Sequence, residues 1–171
     1  MKIATASRLA LRQTWKVVAV IVLNLFHPHH FMGLKNAVAR RLVKALGPGA
    51  TVSPGFFAFH GFNVVAGMSC SFGYRFQIFD FAPVFIGNRL LASHGVTLIA
   101  GTHDTDATRT YRPGPITIGN NVWIGANVLI VGPCEIGDDC IIGANSYVSG
   151  QFGAGSRIGG SPARLLSSSH P

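Results

Sequence analysis

Acidic side chains are scarce in this sequence. There are six Asp and Glu in 171 residues, only one of them a Glu (Glu135), and none precedes Asp80. Charged residues of both signs make up only 12% of the chain. That excludes a solvated charged coil or an acidic disordered segment. Cysteines number three, an odd count that argues against a disulfide framework and fits a reducing compartment. Long apolar runs are also missing. The most continuous one, VVAVIVL (Val17 to Leu23), has seven residues, far short of the about 20 that span a bilayer. It begins late and no small-x-small cleavage site follows it, which disfavours a signal peptide. The expected location is cytoplasmic, peripheral on the inner face of a membrane if the basic segment described next binds lipid.

What is present is unevenly placed. Residues 1–46 hold eight basic residues: Lys2, Arg8, Arg12, Lys16, Lys35, Arg40, Arg41 and Lys44. The rest of the chain balances its charges, so the net charge of +8 resides in this quarter. Such a segment suits an anionic membrane surface, or caps the end of a domain; the two roles can coexist. Nucleic acid is a weaker partner, because the basic residues are interleaved with a strongly apolar run. Residues 1–48 are read as a helical segment, with one helix over about 7–26 and a second over about 34–46. In the second, Leu34, Val38, Leu42 and Leu46 share a face and GPG (Gly47 to Gly49) stops it. FHPHHF (Phe26 to Phe31) between them is read as a polar loop, with metal binding as the alternative.

From Val52 the pattern changes. Ile118, Ile124, Ile130, Ile136, Ile142 and Val148 recur at strict spacing six, and Gly follows at 119, 125, 137 and 143. Four residues after each aliphatic stands Val122, Val128, Cys134, Cys140 or Ser146, all small. Ile86, Ala92 and Leu98 keep the spacing upstream, while residues 56–85, with nine of the twelve Phe, follow it loosely. Six is neither the helical nor the strand period. It fits a short strand plus a corner, with Gly, Asn or Asp where the corner needs unusual backbone angles. Three such sides close a turn, so residues 18 apart stack: Ile118 on Ile136, Val122 on Cys140, Ile124 on Ile142. Cys134 and Cys140 are then interior residues with no chemical task. The period leaves the hand of the coil open, and the general crossover rule would favour a right-handed one.

The rhythm breaks once. The aliphatic slot jumps from Leu98 to Ile118, so 14 extra residues, about 104–117, must leave the coil as a long loop. His103 stands at its root. A neutral imidazole there is suited to accept a proton.

The sixes, with FNVVAG (Phe62 to Gly67), FDFAPVFIGN (Phe79 to Asn88), GTHD and the closing GGSPARLL (Gly159 to Leu166), resemble the hexapeptide-repeat acyltransferases. Within that family they are similar to the galactoside, maltose and nodulation-factor O-acetyltransferases. The His-Asp pair and basic N-terminal segment are more like the colanic-acid type of exopolysaccharide acetyltransferase. The resemblance covers about residues 62–166. It implies an all-β, left-handed parallel β-helix over residues 49–166, with a short tail at 167–171. It implies a homotrimer with active sites between subunits, acetyl-CoA as acyl donor and a sugar or glycolipid acceptor. Carried onto this chain, His103 is the general base and Asp80 an acceptor contact. Trp123, Ala126, Ala144, Ser149 and Arg164 are the coenzyme contacts. The chain departs from the family pattern at Gly73, where sugar-acetylating relatives carry Asn, and at Ser149-Gly150, where many carry Thr-Lys.

Two other readings share the fold. One is a non-catalytic scaffold. The other is a γ-class carbonic anhydrase, which would bind zinc through three His. No second His stands four or five residues after His103, so no metal is expected. The expected function is acetyl transfer to a sugar hydroxyl in exopolysaccharide, lipopolysaccharide or glycolipid synthesis.

Overall fold

The computed structural model describes Ile21 and residues 32–168. The helix expected over about 7–26, apart from Ile21, and the FHPHHF tract lie outside the described residues. A helix, α1 (Met32–Leu42), leads into six coils of parallel strand. The first coil is β1 (Ala45–Leu46), β2 (Thr51–Val52) and β3 (Phe57–Ala58). The second is β4 (Val64–Ala66), β5 (Ser71–Phe72) and β6 (Gln77–Phe79), and the third β7 (Val84–Ile86), β8 (Leu91–Ala92) and β9 (Thr97–Ile99). A hairpin follows, β10 (Gly101–His103) and β11 (Tyr111–Pro113). The fourth coil takes β12 (Ile116–Ile118), β13 (Trp123–Ile124) and the first half of β14 (Leu129–Ile136). The second half of β14, β15 (Ile141–Ile142) and the start of β16 (Tyr147–Phe152) make the fifth. The end of β16 and β17 (Ser156–Gly160) make the sixth, and β18 (Ala163–Ser168) returns antiparallel along β17.

The strands stack as three parallel ladders, the faces of a prism. Face one carries β1, β4, β7, β12 and the end of β14; face two β2, β5, β8, β13, β15 and β17; face three β3, β6, β9 and the start of β14. The expected stacking holds: Ile118 pairs with Ile136 and Ile124 with Ile142, while the Trp123 amide donates to the Cys140 carbonyl beside Val122. The inward slots are closed to solvent, Ile118, Ile124, Ile130, Ile136, Ile142 and Val148 all being buried. Each such side chain removed from water contributes about 1.5–3 kcal/mol. The first coils are wider. Ala45 pairs with Val65 and Val65 with Phe85, a step of 20 residues, and Phe56, Phe72 and Phe76 fill the interior as an edge-to-face cluster.

The corners turn on left-handed residues. In the later coils these are Asn121, Asn127, Asp139 and Asn145, all of the Asn or Asp type expected at a corner; earlier they are Ser69, Arg75 and Arg89 together with Gly49, Gly55, Gly61 and Gly95. The corner between faces three and one passes Pro83, Pro115 and Pro133 in successive coils, whose positions lack the N–H a ladder would need. Beside them the backbones of Gly114 and Gly132 touch, and a Cβ on either would overlap the other.

Three expectations change. The second helix ends at Leu42, not 46, because Ala45–Leu46 pairs with β4 as the first rung of the coil, and Leu34 is exposed. Strand pairing therefore begins before residue 49, and α1 packs on β1 and β2, with the Asn36 side chain accepting from the Val52 amide. The excursion is not an irregular loop over 104–117. It is an antiparallel hairpin starting at Gly101, and Ile116–Ile118 are already back in the prism. No helix among the described residues is long and apolar enough to cross a membrane.

Cys134 and Cys140 point inward, and burial pushes the Cys134 thiol up to about 12. An unfolded thiol ionises near 9, so between those values the unfolded chain has lost a proton that the folded chain keeps. Stability then falls with rising pH, by up to about 1.4 kcal/mol per pH unit for this thiol. Chemical denaturation is expected to show the stability gap between wild type and Cys134→Ala narrowing from pH 9 to 12. A constant gap would contradict the burial argument.

Candidate active site

The hairpin places His103. Gly101 pairs with Pro113, Thr102 with Arg112 and His103 with Tyr111, so His103 and Tyr111 project to the same side. Its turn is held by Asp106, whose carboxylate accepts the Thr108 amide (3.1 Å) and hydroxyl (2.6 Å), and these bonds keep that carboxyl below its ordinary range. An Asp104–Arg112 ion pair ties the two strands. Gly101 has no side chain, and the Tyr111 ring occupies the space a Cβ would take. The Tyr111 hydroxyl donates to the Ala100 carbonyl at 3.2 Å.

The imidazole of His103 is exposed, and its Nδ1 lies 2.8 Å from the Arg109 carbonyl oxygen. A carbonyl only accepts, so Nδ1 carries the hydrogen. In the neutral ring Nε2 then holds the lone pair. The ring is oriented by a second contact, edge-on to Tyr111 with centroids 5.7 Å apart. A hydroxyl brought to Nε2 would meet a base already in its reactive tautomer.

The other expected residues are dispersed over the prism. Ser149 is exposed near the corner from which the hairpin leaves. Beside that corner, Pro115, Pro133, Glu135 and Gln151 line a shallow groove. Trp123 is half exposed on face two, and Arg164 lies on β18 at the end of that face. Ala126 and Ala144 stack at the corner between faces two and three, joined by the Asn145 amide donating to the Ala126 carbonyl. One chain therefore does not bring the base and all the expected coenzyme contacts together. His94, at that same corner, is likewise on a different edge from His103.

Asp80, expected as an acceptor contact, is turned inward in this arrangement. It is fully buried, and its carboxylate accepts the backbone amides of His60 (2.7 Å), Gly61 (2.8 Å) and Asn63 (3.3 Å). It clamps the preceding coil's corner and faces backbone, not solvent. The residues missed from the sequence are Tyr111 and Arg109, which orient the His103 ring; only the hairpin register reveals them. Among the described residues, no group of three His, Cys, Asp or Glu is placed to hold a metal ion.

These features define a parallel β-helix protein with an exposed, oriented imidazole on an extruded hairpin. A family model described as bacterial transferase hexapeptide (six repeats) matches residues 115–150. Nodulation protein L of Rhizobium meliloti (strain 1021) is 36% identical over 124 residues, 70% of this chain and 68% of that protein. A hexapeptide-repeat acetyltransferase of Vibrio cholerae O1 biovar eltor, solved with acetyl coenzyme A, is 27% identical with a TM-score of 0.80, covering 96% of this chain and 90% of that one. A galactoside acetyltransferase solved with coenzyme A is 27% identical with a TM-score of 0.78, over 90% and 78% of the two chains. The chain belongs to the hexapeptide-repeat acetyltransferase family.

The tautomer is directly observable. Long-range ¹H–¹⁵N NMR of neutral His103 is expected to show a protonated Nδ1 and a bare Nε2. A protonated Nε2 would contradict the assignment.

Proposed function

We propose that this protein transfers the acetyl group of acetyl-CoA to a sugar hydroxyl, with His103 as general base, in the synthesis of a surface polysaccharide or glycolipid. The observation that carries this reading is the Nδ1 bond from His103 to the Arg109 carbonyl, which leaves Nε2 as acceptor on an exposed, oriented ring. Similarity to the galactoside acetyltransferase supports the sugar as acceptor, and similarity to the acetyl coenzyme A complex supports the donor.

The chemistry is a single displacement. The acceptor oxygen attacks the thioester carbon as its proton passes to Nε2. The tetrahedral intermediate collapses, the C–S bond breaks, and the imidazolium returns the proton to the departing thiolate. Base catalysis of this kind contributes about 100- to 10,000-fold. The carbonyl oxygen gains charge in the transition state and needs an aimed donor in a water-poor cleft. No cysteine is needed as nucleophile, and all three are buried.

Trp123, Ala126, Ala144, Ser149 and Arg164 are proposed to contact the coenzyme. Their dispersal over faces and corners of one prism favours a site built between copies, in a trimer, where the hairpin of one chain meets another face of its neighbour. Residues 1–46 are proposed to hold the enzyme against anionic lipid.

His103→Ala is expected to keep the fold and coenzyme binding while losing at least about 100-fold in kcat. Near-normal turnover, measured by acetyl-CoA consumption with a sugar acceptor, would refute the role. Membrane contact has its own test. Replacing Lys2, Arg8, Arg12 and Lys16 by Gln is expected to lower co-sedimentation with phosphatidylglycerol vesicles by at least about tenfold, at about 1 kcal/mol per charge. Unchanged co-sedimentation would refute it.

A further inference from the structure

An aromatic ladder runs away from His103 along the prism. The His103 ring meets Tyr111 at 5.7 Å, Tyr111 meets Phe81 at 6.1 Å, and Phe81 meets Phe59 at 5.1 Å and Phe79 at 6.4 Å. Phe79 in turn meets Phe57 at 5.9 Å. These spacings are those of rings in direct contact. Yet Tyr111, Phe81 and Phe59 are each about 40% exposed, so this is surface, not core. A contiguous apolar strip on a protein surface marks something that binds there.

The strip excludes charge. The one carboxylate between Phe79 and Phe81 belongs to Asp80, which is turned inward onto backbone amides. Beyond Tyr111 the rings are Phe, with one half-buried imidazole, His60, packed against Phe59 and Phe81 and its Nδ1 lying 3.3 Å from the Asp80 carbonyl oxygen. A sugar ring laid there would lose most of the hydrogen bonds of its hydroxyls without replacement. A hydrocarbon chain would lose nothing. The ladder also ends at the first coil, where the Lys44 amide donates to the Gly61 carbonyl and the side chains of Arg40, Arg41 and Lys44 are exposed. That charge suits an anionic lipid headgroup or a phosphate joined to such a chain.

We propose that the acceptor is a glycolipid whose hydrocarbon chain lies along Tyr111, Phe81, Phe79 and Phe59 while its sugar hydroxyl reaches His103. This deepens the substrate class and rests on the reading of His103 as base. Continuity is the reason for assigning the strip to substrate: Tyr111 touches the base and the first ring of the ladder at once, so an occupant of one end adjoins the reacting atoms.

The test uses methyl, hexyl and octyl galactoside, each below its micelle threshold, with calorimetric binding and kcat/KM measured for each. Burying a methylene is worth about fourfold when complete, from about 0.8 kcal/mol. Octyl galactoside is therefore expected to exceed methyl galactoside by at least about tenfold in both measures. The double variant F59S/F81S is expected to lose that advantage while keeping turnover of methyl galactoside. Equal binding and turnover across the wild-type series would overturn the proposal, whether or not the variant folds. A double variant that sediments as a smaller oligomer than wild type would overturn it too, assigning the strip to a subunit interface. Coenzyme binding without transfer to any galactoside, or to any other sugar or glycolipid offered, would instead refute sugar acetylation itself.

Discussion

Everything in this molecule depends on a closed ladder. Each strand of two or three residues hydrogen-bonds to the coil above and the coil below, and three such ladders enclose an interior only wide enough for one layer of side chains. A strand this short has no stability of its own. It is held because the inward residue at each sixth position meets its counterpart in the next coil, as Ile118 meets Ile86 and Ile136. A residue added to a side would shift every following side chain from inside to outside. Extra chain can therefore enter only at a corner, and must return to the point it left.

That constraint explains the form of the site. The hairpin leaves after Ala100 and returns at Gly114, where a glycine–glycine contact and a proline at each level make the corner narrow enough to close over the gap. The returning strand rejoins in register, Ile116 pairing with Val84 below and Cys134 above. The imidazole is thus carried on a two-stranded arm anchored to a rigid prism, with its tautomer set from within the arm. An active site on a projection from a smooth prism needs a wall opposite. The face-two and corner positions proposed for the coenzyme provide one when they come from a second copy.

The later coils were legible because one residue type repeats at one spacing. Ile at every sixth position and Asn or Asp at the turns leave few alternatives between residues 116 and 148. The first coils were not. Their steps are 20 residues, their interior is Phe, and their corners mix glycine (Gly49, Gly55, Gly61, Gly95) with Ser69, Arg75 and Arg89, which tolerate left-handed angles less readily than Asn. The end of α1 was misplaced because Leu46 continues the helical spacing, while its pairing with Ala66 depends on chain 20 residues away. His103 was legible as a break in rhythm; its tautomer was not, since Arg109 becomes its partner only through the hairpin register. Asp80 came from the family resemblance and not from any pattern in the chain, and only the fold shows the three backbone amides its carboxylate accepts.

The central claim is that the rhythm breaks in order to hold a base over the reacting carbonyl. It is tested most directly by a crystal structure of the full chain with coenzyme A. The account predicts the coenzyme sulfur within about 4 Å of His103 Nε2, near enough for the acceptor oxygen to bridge thioester and base. It also predicts a second copy of the chain on the far side of the coenzyme. Coenzyme A bound with its sulfur remote from His103 would contradict it.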